Sequence, residues 1–184
     1  MTIYKIEADH TYKHISAKEE TTIHQFRDFK GQPLTGIWKT PRFQLLENVT
    51  PVKSEKNSEQ AKSNGFDARN YGNMLFIKKE FDHLFSLPNV ELLPVAIESG
   101  EPNFSFLNVL NAIEAIDFSN LDYQQSMKML KSNNIRFISE NIGELEIFRD
   151  KKLINFYYCT DAFKTLFEIN DIKGLKFEEV GKTL

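Results

Sequence analysis

Three features are scarce in this sequence of 184 residues: cysteine, tryptophan and long hydrophobic stretches. Because Cys159 is the single cysteine, no intramolecular disulfide can form, and such a chain fits a reducing compartment. The opening residues, Met1 to Glu7, carry charges and no apolar core, so we expect no signal peptide. No apolar stretch approaches the ~20 residues that a membrane span needs. We therefore expect a cytoplasmic protein with no membrane partner.

Common catalytic motifs are also missing. Gly31 and Gly36 lie in a polar stretch without the lysine of a phosphate-binding loop. The sequence has no Gly-x-Ser-x-Gly nucleophile elbow. Cys159 follows two tyrosines in an apolar run, which favours a buried and unreactive thiol. A linear sequence cannot establish a carboxylate pair for acid–base catalysis. We expect no catalytic residues and no cofactor.

The spacing of His10 and His14 is the one that suits a metal ion. On a helix, side chains four residues apart share a face and can bind one Zn²⁺ ion. The residues between them have weak helical character, and His24 would join the pair only through a fold that the sequence does not indicate. Exposed loop histidines are the favoured interpretation, so we expect no metal site.

The net charge of −3 is too small to indicate a nucleic-acid-binding protein. Residues 53–62, the nearest candidate for a phosphate-binding track, contain two glutamates and no aromatic side chain. The charge is unevenly distributed, because residues 80–184 hold 17 acidic and 10 basic side chains. An acidic C-terminal part can attract a basic partner, although a solvated acidic face is the favoured interpretation of charge alone.

The composition predicts a single α+β domain, with a mainly antiparallel sheet and a few short amphipathic helices. Apolar residues make up 41% of the chain and 16 of them are phenylalanine, which indicates a core rich in Phe. Residues 34–48 fit two short strands, or a strand and a bend. Apolar patterns predict strands over Met1–Ala8, Val90–Ile97, Phe104–Ile116 and Leu175–Val180, and a hairpin from Leu145–Arg149 and Leu153–Tyr158.

Apolar residues at helical spacing predict three short helices. One covers residues 81–85 and ends before Pro88, one begins near Tyr123, and one covers Asp161–Ile169. For the second helix, Ser119, Asn120 and Asp117 are the candidate N-terminal caps. Residues 50–73 are rich in Ser, Asn and Lys and predict a mobile surface loop. Trp38 and Tyr71, close to that loop, are candidate interface anchors, although a core position is favoured for Trp38.

Short motifs in the C-terminal hundred residues resemble, in order, the eleventh-numbered family of immunity proteins, which protect bacteria from polymorphic toxins. The resemblance covers roughly residues 34–180 and is strongest after Phe76. The residues that carry it are Trp38, Leu92–Val95, Leu107–Leu110, Ala115–Asp117, Ile147–Arg149, Asp161, Phe163 and Gly174–Phe177. Most of these positions are apolar and indicate architecture rather than mechanism.

The resemblance implies one half of an effector–immunity pair used in interbacterial competition. Such a protein binds the toxin domain encoded by an adjacent gene and blocks its active site or substrate entry, and it needs no catalytic residue. Two alternatives remain open: a small hydrolase that reverses toxin damage, and a non-enzymatic adaptor of a secretion system. Nothing in the sequence indicates a homo-oligomer, although an unpaired sheet edge would permit one.

The toxin-contacting residues follow from no motif. The acidic cluster of Glu140, Glu144 and Glu146, with Asp150 at the neighbouring turn, is the surface that we expect to meet a basic partner. The loop at residues 50–73 is the competing surface.

Overall fold

The structure is a computed structural model that describes residues 1–18, 29–46, 65–110 and 112–184. Within these ranges the chain forms eleven strands, one 3₁₀ helix (Lys79–Leu84) and three α-helices. The strands are β1 Thr2–Ala8, β2 His14–Ala17, β3 Arg42–Leu46, β4 Ala68–Tyr71, β5 Met74–Lys78, β6 Val90–Ile97, β7 Phe104–Val109, β8 Ile135–Phe137, β9 Ile147–Phe148, β10 Tyr157–Thr160 and β11 Leu175–Thr183. The α-helices are α1 Tyr123–Lys131, α2 Ser139–Ile142 and α3 Asp161–Ile169.

The strands form two sheets. The first sheet has the order β8-β11-β1-β10-β9, and the second has the order β2-β3-β6-β7-β5-β4. Most neighbouring strands are antiparallel, whereas β8 runs parallel to β11 and β3 runs parallel to β6. The predicted α+β class, with mainly antiparallel pairing and a few short helices, is confirmed.

The buried apolar residues form three clusters, and each sheet lies between two of them. Adjacent residues of a strand face opposite sides of its sheet, and in β10 Tyr157 and Cys159 enter one cluster while Tyr158 enters another. The same alternation divides β7, where Phe106 and Leu107 belong to different clusters. The shared central cluster contains residues from both sheets and from α3. Both sheets are therefore covered on two faces. Many of the buried residues are phenylalanine, as the composition predicts.

Several sequence predictions are confirmed. The helix Asp161–Ile169 and the strand Val90–Ile97 have the predicted bounds, and the first and last predicted strands are β1 and β11. Residues 34–46, the described part of the 34–48 segment, contain one strand, β3, after a turn, which is the second of the two predicted alternatives. The predicted hairpin is present as the antiparallel pair β9–β10. Strand β9 is shorter than predicted, and β10 begins and ends later in the sequence than predicted.

Other predictions are wrong in their extent or type. The helix near Phe81 is 3₁₀, and the strand that begins at Phe104 ends at Val109 rather than Ile116. The predicted loop at residues 50–73 is too long, because residues 68–71 form β4 and pair with β5. Residues 50–64 of that loop lie outside the described residues, so its mobility stays a prediction.

Helix α1 begins at a different cap from those predicted. The Asp122 carboxylate accepts the Gln125 backbone N–H at 2.8 Å, and the Gln125 side chain accepts the Asp122 N–H at 2.9 Å. This reciprocal capping box satisfies two backbone donors at the helix start. Ser119, Asn120 and Asp117 are therefore not the cap. Asp117 instead accepts hydrogen bonds from the backbone and side chain of Ser119 and closes the turn before the helix.

Gly174 joins the two sheets at a close approach. Its φ of +112° lies in a region that favours glycine, and a Cβ there would lie 2.1 Å from the Ala68 carbonyl oxygen. Its neighbour Lys173 accepts the Ala68 N–H at 2.8 Å. Among the helices described here, none has the length and apolar character needed to cross a lipid bilayer.

Candidate functional site

The acidic residues predicted to meet a partner lie around the short helix α2. Glu140 and Glu144 are exposed, Glu146 is half-buried, and Ile142 between them is 1% exposed and anchors the helix to the core. The turn after the helix uses Gly143 at a φ of +55°. Within the described part of the chain, no ion pair is formed by any of these three glutamates. They are available to an external partner.

Asp150, the fourth residue of the predicted cluster, is an interior residue. It is 1% exposed, and one carboxylate oxygen accepts the backbone N–H groups of Ala115 and Ile116, each at 3.0 Å. The other oxygen accepts the N–H groups of Lys152 at 2.8 Å and Leu153 at 3.2 Å. Asp150 therefore fastens the 113–116 segment to the turn after β9, and its side chain adds no surface to the acidic cluster.

Arg149 is buried beside Asp150 but points to different partners. Its Nε donates to the Ile154 carbonyl at 2.6 Å, and one terminal nitrogen donates to the Phe29 carbonyl at 3.1 Å. The guanidinium carbon lies 5.1 Å from the centre of the Tyr157 ring. Burial lowers the pKa of this guanidinium from its ordinary value. Together these contacts fold the loop after β9 back on the core.

A half-buried carboxylate, Glu91 on β6, holds the segment before β3. It accepts the backbone N–H groups of Leu34 at 2.8 Å and Thr35 at 2.9 Å, together with the Asn108 amide at 2.9 Å. Partial burial alone would raise the pKa of Glu91, but the hydrogen bonds that it accepts lower the pKa overall. The segment is also held by Trp38, whose indole N–H donates to the Pro94 carbonyl at 2.9 Å. Trp38 is half-buried and packs against Phe106 and Phe29 at the margin of a core cluster, which confirms its favoured core position only in part.

An open groove of about 840 Å³ lies where the two sheets meet. It is lined by Lys5–Ala8 of β1, His10, Asn70–Asn73 of the β4–β5 hairpin, Asn155 and Phe156. Tyr71, predicted as an interface anchor, therefore borders a concave surface, although its ring also packs edge-to-face on Phe43 at 5.2 Å. The sequence does not reveal this groove, because its residues are far apart in the chain and only Tyr71 and His10 stand out, His10 for a different role.

The histidine pair does not have the geometry required by the metal hypothesis. His10 lies in the turn after β1 and His14 begins β2, so the helical arrangement is wrong. Their rings stack with centres 5.7 Å apart, and His14 Nδ1 lies 3.3 Å from an Arg69 nitrogen. No group of three or more potential metal ligands occurs in the part of the chain that the structure describes. His24 lies outside that part.

Cys159 is buried at 0% exposure in the central cluster. Burial raises the pKa of its thiol well above the ordinary value, so the reactive thiolate is disfavoured. The predicted burial of Cys159 is confirmed, and its lack of reactivity stays a prediction.

Residues of the family-like motifs make the interior contacts described above. Trp38 and Pro94 bond to each other, Asn108 bonds to Glu91, and Ala115 bonds to Asp150. These motif residues make structural contacts within the fold, which agrees with the interpretation that they indicate architecture.

Comparison with known proteins supports a role as an immunity protein. The sequence model of the immunity protein family Imm11 matches residues 96–182, from the end of β6 through most of β11. No curated protein matches the chain. Over residues 96–182 this chain therefore matches the immunity protein family Imm11, the family that its motifs predict.

Proposed function

We propose that this chain is a cytoplasmic immunity protein that binds the toxic domain of a cognate effector and blocks it by occupancy, without catalysis. The observation that carries the proposal is the match of residues 96–182 to the immunity protein family Imm11. The partner is a toxin domain encoded by an adjacent gene. The chain acts as one domain, which is supported by the central cluster that both sheets share.

The motif residues named here are buried, which supports toxin binding through other, exposed residues. Asn108, Ala115 and Arg149 are buried and occupied by internal hydrogen bonds. Side chains that contact a toxin must lie outside this interior set. An immunity protein that neutralises tightly needs an interface of about 1,600 Å² in total, which corresponds to roughly 800 Å² on each partner.

The acidic cluster of Glu140, Glu144 and Glu146 is our first proposed contact surface. The three glutamates belong to a C-terminal part with 17 acidic and 10 basic side chains. A field of this sign accelerates encounter with a basic partner, and salt weakens the effect. Asp150 is not part of this surface because its carboxylate is buried.

Copurification with the toxic C-terminal domain of the protein encoded immediately upstream tests the proposed function. We expect a stable complex, together with restored growth of cells that express the toxin domain. Rescue without a complex would favour an enzyme that reverses toxin damage. A complex without rescue would favour an adaptor, and the absence of both results would contradict the proposal.

A charge-reversal experiment tests the acidic cluster separately. The variant carries Glu140→Lys, Glu144→Lys and Glu146→Lys, and we expect its association rate with the toxin to fall at least about tenfold at low salt. A control with the same net charge carries substitutions at exposed acidic residues elsewhere: Glu80→Lys, Glu101→Lys and Asp171→Lys. Equal association rates for the two variants would exclude the acidic cluster as a specific contact surface.

A further inference from the structure

The groove where the two sheets meet contains a strand end that is paired on one side only. Strand β1 pairs with β11 as far as Ala8 opposite Leu175, but its pairing with β10 ends at Ile6 opposite Tyr157. Glu7 and Ala8 therefore have one neighbouring strand among those described, and both line the groove. A strand edge of this kind offers backbone N–H and C=O groups to another extended chain.

The side chains around this strand end suit an uncharged polypeptide. Lys5 and Glu7 neutralise each other through an ion pair of 2.6 Å, and Lys5 Nζ lies 4.6 Å from the centre of the Phe156 ring. The primary amide of Asn155 has both donors and an acceptor, which match the groups of a peptide backbone. The Asn70 amide nitrogen donates to the Ile6 carbonyl at 3.4 Å, and its second N–H and its oxygen are the groups it can offer an occupant. Phe156 is 41% exposed and offers apolar surface to one side chain of an occupant.

Both walls of the groove are held from the interior. On one wall, the Tyr157 phenol donates to the Asn73 carbonyl at 2.8 Å. Burial raises the pKa of Tyr157 to about 12, so this phenol stays a neutral donor. On the other wall, Arg149 Nε donates to the Ile154 carbonyl, directly before Asn155. A site that is ordered before binding loses less conformational entropy when the complex forms.

We propose that the groove receives an extended, uncharged segment of the toxin chain, which adds as a strand beside Glu7 and Ala8. The backbone of the segment bonds to the unpaired side of β1 and to the amides of Asn70 and Asn155, while one apolar side chain packs on Phe156. The groove volume of about 840 Å³ accommodates a few residues. This inference rests on the proposed function, because the occupant is part of the toxin.

Two substitutions on one wall test the groove without disturbing its interior. Asn155 is exposed, so Asn155→Lys places a cation at a site whose own charges cancel, and Phe156→Ala removes the apolar surface. We expect each variant to bind the purified toxin domain at least about tenfold more weakly by biolayer interferometry. The matched control is Tyr123→Ala on α1, which removes an aromatic side chain that is 80% exposed and should leave the affinity unchanged. Thermal unfolding verifies that all three variants are folded.

Site-specific photo-cross-linking identifies the occupant. p-Benzoylphenylalanine replaces Phe156 in one protein and Tyr123 in the control. We expect position 156 to cross-link to one contiguous toxin segment, identified by mass spectrometry, and position 123 to give no such product. Unchanged affinity in both groove variants, or no cross-link from position 156, would overturn the groove assignment, including the case in which a small molecule occupies the groove instead.

Toxin binding by the native chain distinguishes a failure of the groove assignment from a failure of the proposed function. If it binds the toxin domain and the groove variants bind equally well, the groove assignment fails and the proposed function stands. If the native chain itself fails to bind, the proposed function fails and the groove assignment fails with it.

Discussion

Replacing Asp150 by alanine should lower the free energy of unfolding by about 3–5 kcal/mol. The carboxylate is 1% exposed and accepts four backbone hydrogen bonds. Two of the donors belong to Ala115 and Ile116, which are buried, and each unsatisfied buried donor costs about 1–3 kcal/mol. The donors of Lys152 and Leu153 lie at a surface turn where water can replace the carboxylate, so they add little.

Two further variants define the origin of this loss. Asp150→Asn keeps one acceptor oxygen but turns the other into an amide donor that faces backbone N–H groups, so we expect a loss of about 1–3 kcal/mol. Glu114→Ala is the control, because this carboxylate is 70% exposed and pairs with Lys151 at the surface. Its expected effect is within about 0.5 kcal/mol.

Urea unfolding measures these differences by far-UV circular dichroism and by the fluorescence of Trp38, the single tryptophan. With a slope of about 2 kcal/mol per molar urea, a loss of 3–5 kcal/mol shifts the midpoint by about 1.5–2.5 M. A midpoint for Asp150→Ala that equals the midpoint of Glu114→Ala would refute the reasoning, because the four hydrogen bonds would then contribute no net stability.

Three other predictions concern single residues. Gly174→Ala should cost at least about 2 kcal/mol in urea unfolding, because the new Cβ meets the Ala68 carbonyl oxygen, whereas Gly36→Ala, with nothing within 4 Å, should change little. The pKa of Glu91 is lowered in the folded protein, so its stabilisation is complete above its ordinary value of 4.5 and is lost as the pH falls through the folded value. Glu91→Gln should therefore destabilise at pH 7, and unfolding measured at lower pH should show its difference from the native chain shrinking as the pH falls below 4.5. Cys159 should resist a thiol reagent in buffer and react after unfolding in urea, and rapid labelling of the native protein would contradict its burial.

The helices and strands predicted correctly are those whose type follows from the pattern of their own residues. In α3, Phe163, Leu166 and Phe167 fall at helical spacing, and the helix forms with the predicted bounds. In β6, a run of apolar residues is long enough to indicate a strand buried on both faces. Short strands such as β2 and β8 depend on partners far away in the chain, so their own sequences carry little signal.

Asp150 shows why the predicted contact cluster was partly misplaced. The residues Asp150-Lys151-Lys152 have the composition of an exposed turn, and both lysines are exposed. The aspartate is buried because backbone donors 34 and 35 residues earlier need an acceptor. No local pattern indicates a hydrogen bond between such distant segments. The predicted cap of α1 was wrong because four neighbouring polar residues can each serve as an N-terminal cap. The sequence does not distinguish Asp122 from the other three.

The groove could not be predicted because it is formed by three separate segments. Residues 5–8, 70–73 and 155–156 meet only after both sheets form, and none carries a motif. Phe156 gives the one retrospective signal. It lies in the apolar run Leu153–Tyr158, and strand alternation places it opposite in direction to the buried Tyr157.

The buried pair Arg149 and Asp150 connects the family pattern with recognition. Burying a charge without a partner of opposite charge costs free energy, and here backbone hydrogen bonds offset that cost. Some of those bonds order the loop that follows: Asp150 accepts N–H groups at the start of the loop, and Arg149 donates to Ile154 near its end. The next residues, Asn155 and Phe156, form one wall of the groove. Fixing a residue's backbone costs about 1–2 kcal/mol, so a wall that folding has already fixed spares the complex that cost. In the proposed function, Arg149 therefore acts on binding without contacting the toxin, because it orders the groove-wall residues that are proposed to do so.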